Sequence, residues 1–156
     1  MANFTIKTHF ESPLEVTFEL ISDFEHAAEH IRAIRQLEVL TPGPVGVGTR
    51  FRETRKMFGK ESSEEMEVTA FDAPHGYTVE CDSCGSHCRA EYQLVADIAG
   101  THIRLDFDVR PVSFMAKLFT PLSWLMLGSM KKMAATDLED LKAVAEVRSK
   151  ELAEHV

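Results

Sequence analysis

The stretch PVSFMAKLFTPLSWLMLGSMKKMAATDLEDLKAVAEVRSKELA, Pro111 to Ala153, decides the fold. Leu118, Leu122, Leu125, Met126, Met130, Met133, Ala134, Leu138, Leu141, Val144 and Ala145 recur in steps of three and four, which places them on one helical stripe. Lys131, Lys132, Asp137, Glu139, Asp140, Lys142, Glu146 and Arg148 fall on the other face. The spacing predicts one long helix, bent near its start. A stripe this wide needs a sheet to lie on. From Phe114 to Met133 the stripe is bulky and carries Met115, Met126, Met130 and Met133. Methionine is unbranched and fills irregular spaces, so this half suits either plain core or the roof of a ligand cavity. From Leu138 onward the residues are smaller and suit packed core.

Upstream, nearly everything reads as strand. Asn3 to Glu11 alternates, with Phe4, Ile6, Thr8 and Phe10 on one face. Ser12-Pro13 predicts a helix start, with Ser12 as N-cap and Glu15 completing a capping box. Asp23 then predicts the cap of a second short helix, Glu25 to Ile34. Gln36 to Thr41, Thr49 to Phe58, Glu64 to Phe71, Tyr77 to Asp82, His87 to Asp97 and His102 to Arg110 follow as strands, separated by short turns. Strands in sequence joined by short turns form an antiparallel meander. One-sided alternation gives it one wet face and one covered face. The glycine-rich turn Pro42 to Gly48 lacks the Lys-Ser/Thr ending of a phosphate loop and leads into a strand.

The chain of 156 residues suits a single domain, 1–156, with a sizeable core. Its formal charge of -8, with no Lys/Arg cluster, argues against nucleic acid and anionic membrane surfaces as partners. The apolar run Pro111 to Met130 contains Lys117, Pro121, Ser123 and Gly128, so it reads as a buried helix and not as a stable membrane insertion. Three cysteines without an export signal lead us to expect a cytoplasmic location and free thiols.

Four segments now carry a resemblance. SPLEVTFELISDFEH runs from strand to helix and ends near an aspartate. PGPVGVGTRFR is a Gly-x-Gly turn entering a strand. VTAFDAPHGYTVE is a strand, an Asp-x-Pro turn and the next strand. LEDLKAVAE lies in the closing helix. Together they resemble the SRPBCC superfamily, which includes START lipid-transfer domains and polyketide cyclases, and most closely its polyketide cyclase/dehydrase branch. The resemblance implies an α+β helix-grip fold. A seven-stranded curved antiparallel sheet would wrap around the long C-terminal helix, with two short helices between the first two strands. It also implies a cavity between sheet and helix that holds sterols, lipids, hormones or polyketides. A shared fold does not fix the chemistry performed there.

Alternation names the polar groups that face inward. Phe51, Glu53, Arg55 and Met57 share one face of their strand. If that face is the covered one, Glu53 and Arg55 form a polar anchor or an acid/base pair inside an apolar cavity. Tyr77 and Tyr92 project inward on the same reading, and each hydroxyl can orient a ligand oxygen. The candidate catalytic residues are therefore Glu53, Arg55 and Tyr92. The candidate ligand-binding residues are Phe51, Glu53, Arg55, Met57, Tyr77, Tyr92, Phe107, Leu122, Met126 and Met130.

The segment Cys81 to Cys88 reads as a hairpin with Cys84-Gly85 at its tip, pairing Cys81 with Cys88, Val79 with Ala90 and Tyr77 with Tyr92. Cys81, Cys84, His87 and Cys88 are acceptable zinc ligands in type, but they crowd into one hairpin; buried small thiols are the preferred reading. His9, His26, His30, His75, His87, His102 and His155 are scattered, with His26 and His30 four apart on a helix that reads as solvated. The acidic run Glu61 to Glu67 reads as a wet strand face. The expected function is binding of a hydrophobic small molecule, such as a lipid, polyketide or aromatic compound, without a cofactor. The alternative is a cyclase/dehydratase-type enzyme using the inward acid/base groups, and a third is a module that passes a lipid to a partner. The sequence names no protein partner.

Overall fold

The computed structural model describes residues 2–57, 59–83, 85–118 and 120–155; for residues 2, 57, 83, 115, 116 and 120–126 only the main chain is described. Seven strands are present: β1 (Ala2–Phe10), β2 (Ile34–Val39), β3 (Arg50–Met57), β4 (Lys60–Asp72), β5 (Gly76–Ser83), β6 (Ser86–Asp97) and β7 (Gly100–Pro111). They form one sheet in the order β1-β7-β6-β5-β4-β3-β2, with every neighbouring pair antiparallel. The meander from β2 to β7 is the expected one, and β1 closes onto its last strand. Register shifts between Ile34 and Gln36 and between Val68 and Ala70 mark irregularities of the kind that bend a sheet.

Between β1 and β2 lie α1 (Leu14–Ile21), a 3-10 turn (Phe24–His26) and α2 (Ala27–His30). Two details depart from expectation. Pro13, not Ser12, stands at the N-cap of α1, and no side chain caps it. Ser12 is buried, its carbonyl accepting from the hydroxyls of Thr17 at 3.3 Å and Thr101 at 2.8 Å. The Ser12 hydroxyl itself is buried without a hydrogen-bond partner. A Cβ on Gly100 would meet the Phe10 carbonyl oxygen at 2.1 Å, so only glycine fits there. The second short helix reaches only His30. Ile31 is already extended and Ile34 belongs to β2, because both are needed in the core.

The C-terminal stretch forms α3 (Phe114–Leu118) and α4 (Thr120–Glu154), with residue 119 between them outside the described residues. Helix α4 lies along β1 and α1. Leu138, Leu141 and Ala145 are buried there against the sheet. Two carboxylates assigned to the solvated helix face instead tie α4 to earlier elements. Asp140 accepts from the Arg32 backbone at 3.0 Å and from its guanidinium at 2.9 Å. Glu146 accepts from the Glu11 backbone at 2.9 Å. No helix among the described residues is long and apolar enough to cross a membrane.

Candidate functional site

Between sheet and α4 lies a cavity of about 260 Å³. Its apolar wall is aromatic on one side, where Phe24 stacks on Phe51 at 4.4 Å and stands edge-on to Tyr77 at 5.6 Å. Met130, Met133 and Ala134 of α4 form the opposite wall. Of the candidate ligand-binding residues, Phe51, Glu53, Arg55, Tyr77, Tyr92, Phe107 and Met130 line this space. The side chains of Met57, Leu122 and Met126 lie outside the described residues.

The inward row of β3 comes from an unbroken register. Every residue from Arg50 to Met57 has its partner on β4, so no slip turns Glu53 and Arg55 outward. Arg55 Nε donates to Glu53 Oε1 at 2.8 Å, and its Nη2 donates to the same oxygen. Arg55 Nη2 also donates to Asp137 Oδ2 at 2.9 Å. The side chains of Glu53, Arg55 and Asp137 are only 9%, 16% and 17% exposed. Two carboxylates therefore share one guanidinium in a largely apolar enclosure, and the trio is one positive charge short of neutral if both are ionised.

Asp137 is the residue the sequence reading placed on the wrong face. It follows Ala134 by three and precedes Leu141 by four, so it sits on the apolar stripe. Its Oδ1 is buried with no hydrogen-bond partner. Burial pushes its carboxyl above the usual aspartate range, and Glu53 and Asp140 add to this, against the pull of Arg55. Burial would lower the Arg55 pKa, but Glu53 and Asp137 outweigh it and hold the guanidinium charged. Asp137 is accordingly the carboxyl of the trio whose hold on a proton is strengthened by burial.

The tyrosines differ. Tyr77 is committed to structure: its hydroxyl donates to the Ile21 carbonyl at 3.2 Å. Tyr92 stacks on it at 4.8 Å and lines the cavity. Burial raises both phenols, with Asp137 and Glu53 adding to the effect on Tyr92, so both remain protonated donors.

The Cys81–Cys88, Val79–Ala90 and Tyr77–Tyr92 pairings are all present. Cys81 and Cys88 point into the cavity as free thiols. Their mutual hydrogen bond pushes Cys81 up and Cys88 down. His87 points the other way, its ring bonded to Glu80 and Asp82 at 2.8 Å each. A strand sends neighbouring residues to opposite faces, so His87 cannot share an ion with Cys88. Cys84 lies outside the described residues. His26 and His30 do not converge either: His26 bonds Asp23 at 2.9 Å, and His30 meets Arg148 at 3.4 Å. The acidic run on β4 is divided. Ser62, Glu64 and Met66 face the cavity, and Glu61 and Glu65 face solvent.

Comparison with known proteins agrees with this architecture. Residues 1–146 match the family model described as polyketide cyclase / dehydrase and lipid transport. Three solved structures share the fold. The Zhui aromatase/cyclase from Streptomyces sp. R1128 superposes with a TM-score of 0.75 at 16% identity, covering 94% of each chain. A START superfamily protein from Mycobacterium smegmatis superposes at 0.70 with 16% identity, over 96% of this chain and 98% of that one. The di-domain ARO/CYC StfQ of the steffimycin biosynthetic pathway superposes at 0.78 with 10% identity, over 95% of this chain and 52% of that one. No curated protein matches the sequence.

Proposed function

We propose, from the premise that the chain belongs to the polyketide cyclase/dehydrase and lipid transport family, that it binds an oxygenated aromatic or polycyclic molecule between sheet and α4. The observation that carries this reading is the buried Glu53–Arg55–Asp137 trio at the edge of an aromatic-walled cavity, with one carboxylate oxygen left without a partner. An unsatisfied buried polar atom costs about 1–3 kcal/mol. A ligand hydroxyl or carbonyl would offset that cost, the first by donating to Asp137 Oδ1, the second by accepting from its protonated form. The apolar body of the ligand would lie against Phe24, Phe51 and Met133.

The test is a titration with 2-naphthol and with naphthalene. Naphthol should bind at least tenfold more tightly, and Asp137→Asn should narrow the gap. Ala134→Trp, which fills the cavity, should abolish binding of both. Equal affinities in the unaltered chain, or full binding by the Trp variant, would overturn the proposal.

A second reading is supported by Asp137, its carboxyl raised by burial, sharing the Arg55 guanidinium with Glu53. In a dehydration, Asp137 would give its proton to a departing hydroxyl as the C–O bond breaks. Glu53 would take the proton from the neighbouring carbon, whose C–H pair becomes the new double bond, and water would leave. A β-hydroxy ketone fused to an aromatic ring is the assay substrate. Loss of one water by the unaltered chain, slowed about 100-fold or more in Asp137→Asn, is the expected result. No turnover would remove the enzymatic reading and leave the binding one standing.

A further inference from the structure

The outer face of the sheet carries a second cluster, unrelated to the cavity. His9 of β1 and His102 of β7 are direct cross-strand partners, and their rings lie 4.7 Å apart. Phe10 and Ile103, the next residues along each strand, point into the core, so both imidazoles stand on the opposite side of the sheet from the ligand space. Asp97, the last residue of β6, completes the group. Its Oδ2 lies 3.2 Å from His9 Nε2 and 2.5 Å from His102 Nε2. The sequence reading left these histidines among the scattered ones, because ninety-odd residues of chain separate them.

We infer that His9, Asp97 and His102 form a surface site for a divalent transition-metal ion of the zinc type. Three arguments carry it. The donor set is two neutral-capable imidazoles and one carboxylate, which suits borderline metals and leaves positions for water. The three ligand atoms lie within 4.8 Å of one another. Tetrahedral zinc with bonds of about 2.0–2.2 Å spaces its donors about 3.3–3.6 Å apart, so small side-chain rotations that open the 2.5 Å spacing between His102 and Asp97 would fit the ion. The carboxylate is also held in place: Asp97 Oδ1 accepts from the Ala99 backbone at 2.8 Å across the β6–β7 turn. Both histidines sit on paired strands with fixed register, so little ordering remains to be done on binding. Access is open, with the His102 side chain 63% exposed and those of His9 and Asp97 29% and 32% exposed.

Such an ion would fasten the first strand to the β6–β7 hairpin. The alternative is a metal-free hydrogen-bonded trio with both imidazoles donating to Asp97. Titration of the full chain with Co2+, followed by visible absorption, separates the two. The expected result is one bound Co2+ with d–d bands and no intense sulfur-to-cobalt charge transfer, displaced by Zn2+. His102→Ala and His9→Ala should each weaken binding tenfold or more, and His75→Ala, at an exposed histidine elsewhere, should not. In the unaltered chain the bound paramagnetic ion should broaden the ring resonances of His9 and His102 and spare those of His75, which keeps the test valid if a variant fails to fold. No binding at about 1 mM Co2+, a free energy weaker than about -4 kcal/mol, would overturn the inference. Unchanged affinity in His102→Ala, or a sulfur charge-transfer band from the hairpin thiols, would do the same.

Discussion

One end of the grip is solid and the other is hollow, although the same sheet and the same helix build both. At the solid end Phe10, Leu20, Val68, Leu94, Ile103 and Ala145 are all but fully buried, and none of them borders the cavity. At the hollow end the strands carry Glu53, Arg55, Cys81 and Tyr92 inward, and α4 answers with Met130, Met133 and Asp137. Close packing provides most of the stability of a domain, and a void forfeits contacts along its whole lining. The difference teaches that this chain concentrates its close packing at one end and keeps a row of polar groups out of water at the other.

The sharpest way to break that division is Arg55→Met. Among the described residues lining the cavity Arg55 is the one cation, so its loss strands two carboxylates. We expect destabilisation of about 3–5 kcal/mol in urea unfolding at pH 7. The triple variant Glu53→Gln, Arg55→Met, Asp137→Leu should by contrast be neutral or gain about 1–4 kcal/mol, because apolar packing replaces three desolvated charges. If the triple variant is as unstable as the single one, the trio is a structural keystone and the hollow end is not held for a ligand. At the solid end Leu20→Ala should cost about 3 kcal/mol, through lost burial and an unfilled void, with the naphthol affinity unchanged at temperatures where the variant is folded. A matching fall in affinity would show that the two ends are not independent.

The smallest effect lies away from both ends. His87 is raised above the ordinary imidazole range by its bonds to Glu80 and Asp82. Arg110, its partner on β7, and Arg89 are the nearby cations. A raised folded-state pKa means that the protonated ring stabilises the fold fully below about pH 6.5. That contribution is lost as pH rises through the folded value. His87→Asn should therefore flatten part of the decline in Tm between about pH 6 and pH 8. The ring is more than one-third exposed, so the change should be small.

The two ends were also unequally legible in the sequence. Strand alternation placed the inward row of β3, and it placed the hairpin pairing at Cys81–Cys88, because a period of two leaves only two choices of face. The short helices were less legible. Ten residues with Ala27, Ile31 and Ile34 at helical spacing are equally served by one turn and an early strand, and burial of both isoleucines favoured the strand. Asp137 was missed for a different reason. It stands beside Glu139 and Asp140, which look like a solvated face, yet its spacing from Ala134 and Leu141 put it on the stripe all along. The His9–Asp97–His102 cluster had no local signal, since it exists only once β1 has paired with β7.

Tyr77 and Tyr92, the chain's two tyrosines, lie face to face at 4.8 Å with 24° between their planes, inside the wall of the cavity. Two identical chromophores held that closely in an asymmetric frame share their electronic excitation. The near-ultraviolet circular dichroism of this chain should therefore contain a coupled tyrosine band that a single ring would not give. Any aromatic guest entering the cavity would join or split that couple. A guest in the cavity would therefore be readable without a label.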